Sequence, residues 1–109
     1  MARHQQFGGG GGINANMMKQ VQKMQQDMTR TQTELEERVY STQSGGGAVS
    51  VSLTGKHELQ SLALKPEVVD SEDIEMLQDL IISAVNAAIA EADADKEREM
   101  SKFGMNLPF

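Results

Sequence analysis

The sequence predicts an α+β fold: two long helices and a small antiparallel three-stranded sheet, in the order α-β-β-β-α, assembled as a homodimer. Three patterns carry that expectation. Apolar residues recur at alternating spacings of four and three between residues 17 and 35. They alternate with polar residues between 49 and 54, and return as a broad stripe from residue 74. These are the periods of a helix, a half-buried strand and a second helix. A chain of 109 residues supports one core and leaves little room for another.

The chain opens Met1-Ala2-Arg3-His4-Gln5-Gln6-Phe7 and runs into five glycines, Gly8 to Gly12. Each glycine loses more backbone freedom on folding than any other residue, so residues 1–12 are expected to form a disordered arm. A phosphate-cradling loop needs a Gly-Lys-Ser/Thr ending, which this run lacks. The opening residues have no apolar stretch of the secretory kind.

Met17, Val21, Met24, Met28, Thr31 and Leu35 form a heptad seam with Thr31 as its only polar member. A helix over residues 14–38 accounts for it, with Asn14 and Asn16 as candidate caps. Such a helix is about 36 Å long at 1.5 Å per residue. Its 3.5-residue period suits packing along another long helix.

Val39-Tyr40-Ser41-Thr42-Gln43 is β-prone, and Ser44-Gly45-Gly46-Gly47 is a turn. Val49, Val51 and Leu53 then alternate with Ser50, Ser52 and Thr54. A second turn at Gly55-Lys56-His57 leads to a strand over residues 59–64, which Pro66 stops. The short connections require antiparallel pairing.

Asp70 and Ser71 offer N-cap oxygens, and Glu72, Asp73 and Glu75 suit the positive end of a helix dipole. Ile74, Leu77, Leu80, Ile81, Ala84, Val85, Ala88, Ile89 and Ala92 give the apolar face of a helix ending near Met100. The domain therefore spans residues 13–100, and 101–109 are expected to be a flexible tail. Strands of five or six residues reach roughly 17–20 Å, about half the first helix. The outer part of the Met-rich seam is thus expected to lie in water and to serve a homodimer contact. The alternative is that the second helix covers the seam within one chain.

Composition excludes several function classes. The absence of cysteine removes disulfides, thiolate nucleophiles and sulfur-bound zinc. No apolar run approaches the 18–20 residues of a membrane span. The two histidines, His4 in the arm and His57 in a turn, sit near no signature for a base, nucleophile or metal. The residues therefore form no constellation expected of an enzyme or a metal site, and no small-molecule substrate is expected. Glu91, Asp93, Asp95, Glu97 and Glu99 are spaced so that a helix scatters their carboxylates, and they read as a solvated, partly ion-paired helix end.

The net charge of −6 argues against a simple basic nucleic-acid binder, yet it is unevenly placed. Residues 1–65 carry seven Lys+Arg against five Asp+Glu, a balance of +2; residues 66–109 carry three against eleven, a balance of −8. With Val21, Met28 and Leu35 at heptad position a, Lys19 and Gln26 fall at f, and Lys23 and Arg30 at c. The four make one stripe opposite the seam, with Asp27 on its flank. A row of cations and an amide at helical spacing can follow phosphates, and Arg3 in the arm can add to it. A dimer would duplicate the stripe and gain avidity for a polyanion. A second reading stays open: a protein-interaction module whose acidic C-terminal helix docks a basic partner.

Several ordered segments resemble the YbaB/EbfC family of bacterial nucleoid-associated proteins. They are the glycine-rich start leading into Asn16-Met17-Met18-Lys19-Gln20-Val21-Gln22-Lys23-Met24-Gln25, then Ser44-Gly45-Gly46-Gly47-Ala48-Val49-Ser50-Val51, then Gly55-Lys56-His57-Glu58-Leu59. Glu75-Met76-Leu77-Gln78-Asp79-Leu80-Ile81 follows, with Ala84-Val85-Asn86-Ala87-Ala88 close behind and a Gly-Met-x-Leu-Pro ending at 104–108. The resemblance covers about residues 10–108. It implies a small cytoplasmic α/β homodimer at the nucleoid that binds double-stranded DNA and alters its conformation. Roles in nucleoid organisation, gene regulation and DNA protection go with it, without catalysis or cofactor. Two positions depart from the pattern: Lys65 stands before Pro66 where relatives often carry an acid, and the tail after Pro108 is the single residue Phe109. The family supplies no sharp DNA-contact signature, so Lys19, Lys23, Gln26 and Arg30 rest on helix geometry.

Overall fold

The computed structural model describes residues 15–104. The expected arm, with Arg3 and the candidate cap Asn14, and most of the expected tail lie outside the described residues. Helix α1 (Ala15–Glu37) lies within one residue of expectation at both ends. Asn16 falls inside its first turn and is therefore no cap. The helix stops where the β-branched Val39 opens a strand, and the Arg38 N–H closes the last turn on the Leu35 carbonyl at 3.3 Å.

Three strands follow: β1 (Val39–Ser44), β2 (Val49–Thr54) and β3 (Leu59–Leu64). They form one antiparallel sheet in the order β1-β2-β3. The turn between β1 and β2 is Gly45–Gly47, whose residues all have left-handed φ, of 60°, 65° and 93°. Only glycine enters that region without strain, and three successive positions require it. Register places Tyr40, Thr42 and Ser44 on one face with Leu53, Val51 and Val49. On β3 the same face carries Leu62 and Leu64. A register shift between Ser52 and Leu53 sets Leu59 opposite Leu53, where an unbroken ladder would have put Gln60.

Helix α2 (Ile74–Ser101) lies across that face against β1 and β2. Its N-cap is Asp73, whose Oδ1 accepts the Met76 N–H at 3.2 Å. Asp70, the expected cap, instead accepts the Glu72 N–H at 2.9 Å in the turn before the helix. Ala84, Ala88 and Ala92 form the buried line of α2, small enough to bring the helix down onto Val49, Val51 and Leu53. Leu77, Leu80, Ile81, Val85 and Ile89 flank that line half-buried, whereas Ile74 is exposed. Polar groups on β1 fix the helix too. Thr42 Oγ1 donates to the Ala84 carbonyl and Ser44 Oγ to the Leu80 carbonyl, both at 2.6 Å.

Among the described residues, two apolar surfaces remain uncovered. Every residue of β3 is exposed, including Leu59, Leu62 and Leu64 on the face that α2 covers over the other strands. The seam of α1 runs from water to core: Met17, Val21 and Met24 are exposed, Met28 and Thr31 half-buried, and Leu35 4% exposed. Residues 15–26 are exposed throughout. The second helix therefore does not cover the seam within one chain. Its body is too short, and the molecule is drawn out to 82 × 20 × 19 Å.

Candidate nucleic-acid interface

Helix α1 carries the expected stripe on its open stretch. Lys19, Lys23, Gln26 and Arg30 are all exposed, at successive intervals of four, three and four residues. From Lys19 to Arg30 the stripe is about 16 Å long at 1.5 Å per residue. That matches roughly five nucleotide steps of 3.4 Å along one strand of a duplex. Gln22, Gln25 and Thr29 join Gln26 and Arg30 around an open depression on the same helix. They add amide and hydroxyl donors that charge-based reading of the sequence passed over.

One cation is not free-standing. Arg30 Nη2 donates to Asp27 Oδ1 at 2.6 Å, so the acid placed on the flank reaches the stripe. The Arg30 side chain is 66% exposed, and surface pairs of this kind contribute only about 0–1 kcal/mol. A phosphate can therefore compete for the guanidinium.

Charge changes sign along α1. Residues 15–30 hold Lys19, Lys23 and Arg30 against Asp27, while the last turns hold Glu34, Glu36 and Glu37 with no cation. The cationic stretch is the part farthest from the body along the chain. Phosphate would meet attraction there and repulsion near the sheet, and over roughly 8–10 Å the solvent screens one region from the other.

The acidic end of α2 departs from its sequence reading. Asp95 is not solvated: it is 7% exposed and accepts three hydrogen bonds. Tyr40 Oη at 2.6 Å and Arg38 Nη1 at 2.7 Å donate to Oδ2, and Arg98 Nη2 at 2.6 Å donates to Oδ1. The Tyr40 bond, reinforced by both arginines, holds the carboxyl at about 2 against the opposing effect of burial. Burial and the same hydrogen bond push the Tyr40 hydroxyl up to about 12, and the Asp95 bond raises the already high Arg38. Asp93 meets His57 Nε2 at 2.8 Å, both side chains exposed. His57 holds φ of 66° in its turn, a left-handed conformation uncommon outside glycine. Among the described residues, no group of three or more His, Cys, Asp or Glu is placed to hold a metal ion. No described helix is long and apolar enough to cross a membrane.

A model of the YbaB/EbfC DNA-binding family matches residues 11–107. The chain belongs to that family. It is a family of DNA-binding proteins, not of enzymes. Similar chains include a nucleoid-associated protein of Alkaliphilus metalliredigens, 54% identical over 104 residues, covering 94% of this chain and 90% of that one. Another is a nucleoid-associated protein of Clostridium novyi, 50% identical over 111 residues, covering 99% and 97%. The crystal structure of an uncharacterized protein from Helicobacter pylori aligns with a TM-score of 0.67 at 21% identity, over 85% of this chain and 99% of that one. It shares the fold. Within this YbaB/EbfC chain, the cations of the α1 stripe face solvent whereas Asp95 of α2 faces inward.

Proposed function

We propose that this protein binds double-stranded DNA at the bacterial nucleoid as a homodimer, through phosphate contacts from the outer stretch of α1. The observation that carries the reading is the solvent-facing stripe Lys19, Lys23, Gln26 and Arg30, set beyond the acidic body in a chain of a DNA-binding family. Three cations per chain neutralise backbone phosphates, and Gln26 hydrogen-bonds alongside them. Such contacts position a protein on DNA without reading sequence. Arg3 would add a further cation. By binding two stripes at once a dimer would hold and reshape the duplex, which supports roles in nucleoid organisation, gene regulation and DNA protection.

The homodimer is supported by the uncovered apolar surfaces. Leu59, Leu62 and Leu64 continue the core face past the edge of α2, on a strand with one free hydrogen-bonding edge. A second copy closing on β3 would finish that core and remove the open edge. The seam residues Met17, Val21, Met24, Met28 and Leu35 divide accordingly, Leu35 packing within the chain and the outer three offering a second surface to the partner. The reading of α2 as a docking helix for a basic protein loses ground, because Asp95 is held within the chain.

Charge reversal tests the reading. We expect Lys19→Glu, Lys23→Glu and Arg30→Glu together to abolish retardation of duplex DNA in a gel, with mass and circular dichroism unchanged. Undiminished retardation by the folded triple variant would remove the stripe from the mechanism.

A further inference from the structure

Helix α1 joins the body only through its last turns. Leu35 is its one buried residue, and a cleft of about 380 Å³ opens beside those turns, lined by Gln32, Glu36, Lys56 and Ala92 among others. Apolar packing at the junction is therefore thin. What holds the junction is polar and close. Arg38 is the single residue between α1 and β1. Its carbonyl accepts the Gly55 N–H at 3.1 Å, and its guanidinium donates to Asp95 on α2 at 2.7 Å. Asp95 is fixed in turn by Tyr40 of β1 and Arg98 of α2. On the other side Gly55 lies so close to α1 that a Cβ there would fall 1.8 Å from the Leu35 carbonyl oxygen.

We infer that the Arg38–Asp95 contact, with Tyr40 behind it and Gly55 against Leu35, is the clamp that sets the angle at which α1 leaves the body. Arg38 and Asp95 are thus positioning residues for DNA binding, a statement that rests on α1 being the DNA-contacting helix. Length makes the angle matter. Lys19 lies about 27 Å from Glu37 along the helix at 1.5 Å per residue. A swing of about 10° at the base moves Lys19 by roughly 5 Å, beyond the ~3 Å reach of a hydrogen bond to phosphate. In a dimer the error would apply to both arms, so two stripes that fit one duplex together would no longer do so.

The test uses the full chain in solution, without DNA and then with it. Residual dipolar couplings of backbone amides report helix direction. In the unmodified protein, α1 and the body should fit one alignment tensor. In Asp95→Asn and in Arg38→Gln the α1 couplings should shrink and leave that tensor, while those of the sheet and α2 stay on it. The concentration for half-maximal DNA retardation should rise about tenfold in both variants. Arg38→Lys, which keeps the charge and a donor, should restore most of both signals. Arg38 is 44% exposed, so the Arg38→Gln variant carries the test if Asp95→Asn fails to fold. Couplings of α1 that remain on the body's tensor in the folded variants would overturn the clamp. Released couplings with unaltered retardation would overturn the clamp's link to DNA, while the reading of α1 as the contacting helix stands or falls with the Lys19, Lys23, Arg30 triple variant. Loss of retardation in the Lys19, Lys23, Arg30 triple variant with normal couplings separates contact from positioning.

Discussion

Asp95→Asn removes one charge from a side chain held by three hydrogen bonds, and its effect on stability has a definite size and pH dependence. The carboxylate accepts from Tyr40, Arg38 and Arg98 at 2.6, 2.7 and 2.6 Å and is nearly buried. Asparagine can present its oxygen to Tyr40 and Arg38, but its NH₂ then faces Arg98, donor against donor. Arg98 is 62% exposed and can turn away, so the variant keeps its fold while losing the charge-assisted part of three bonds. Folding holds the Asp95 carboxyl at about 2 instead of its ordinary 3.8. At 1.36 kcal/mol per tenfold change in proton affinity, that corresponds to about 2 kcal/mol in favour of the folded state.

The sign follows from the depression. A carboxyl lowered by folding stabilises fully above its unfolded value, and that contribution fades as pH falls from about 5 towards 2. Arg38 is raised further above its ordinary value and Tyr40 is pushed up to about 12, so neither changes charge across this range while Asp95 does. Asparagine cannot. Urea unfolding followed by circular dichroism, at one fixed protein concentration, is the assay. We expect the variant to be about 2–3 kcal/mol less stable at pH 7, and the gap to close by about 2 kcal/mol near pH 2. In thermal melts at neutral pH the midpoint should fall by roughly 10 °C. A gap that is constant from pH 7 to pH 2, or below about 0.5 kcal/mol at pH 7, would mean that the cluster is not an energetic anchor.

Three further outcomes follow from the same structure. Leu62→Arg places a charge in the exposed leucine face of β3, and light scattering at micromolar concentration should report a monomer mass where the unmodified chain gives a dimer; a dimer in both would move the contact elsewhere. Affinity for duplex DNA should fall with salt at a log–log slope of about −5, the value for six phosphates at roughly 0.9 each, and no steeper than about −7 with Arg3 of each chain added. A slope near −10 would require cations beyond the two α1 stripes. Gly55→Ala puts a methyl into the Leu35 backbone, where neither partner can move aside, and should lower stability by about 2–3 kcal/mol in urea melts. A neutral result would show that α1 can shift without loss.

The elements were legible because each keeps its own period. Residues 17–35, 49–54 and 74–92 repeat at helical, strand and helical spacing, and the edges fell within a residue or two. The first missed detail lay in the cap of α2, where Asp70 and Asp73 offer the same oxygen and only the helix start decides between them. The second was Asp95. Its neighbours Glu91, Asp93, Glu97 and Glu99 give the run the look of a wet helix end, while its partners Arg38 and Tyr40 lie 57 and 55 residues away. One signal was present: Asp95 continues the line of Ala84, Ala88 and Ala92 at helical spacing, so it faces the side on which the core lies. Thr42 and Ser44 were opaque for a related reason, since polar residues on a buried face make sense only once their α2 carbonyl partners are known. Of the candidate site, the stripe was readable from heptad position alone, but the Asp27 contact and the acidic collar at Glu34, Glu36 and Glu37 needed the helix in place.

The bare leucine face of β3 has a genetic consequence. If two copies must share that face to complete their cores, every chain made in a cell ends in a pair, and pairing draws on one common pool. A copy that assembles but carries reversed charges at Lys19, Lys23 and Arg30 would enter complexes with intact copies. At equal expression of the two forms, random pairing leaves only about a quarter of the dimers with two working arms. Such an allele would act dominantly over the normal one, whereas a chain unable to pair would be recessive.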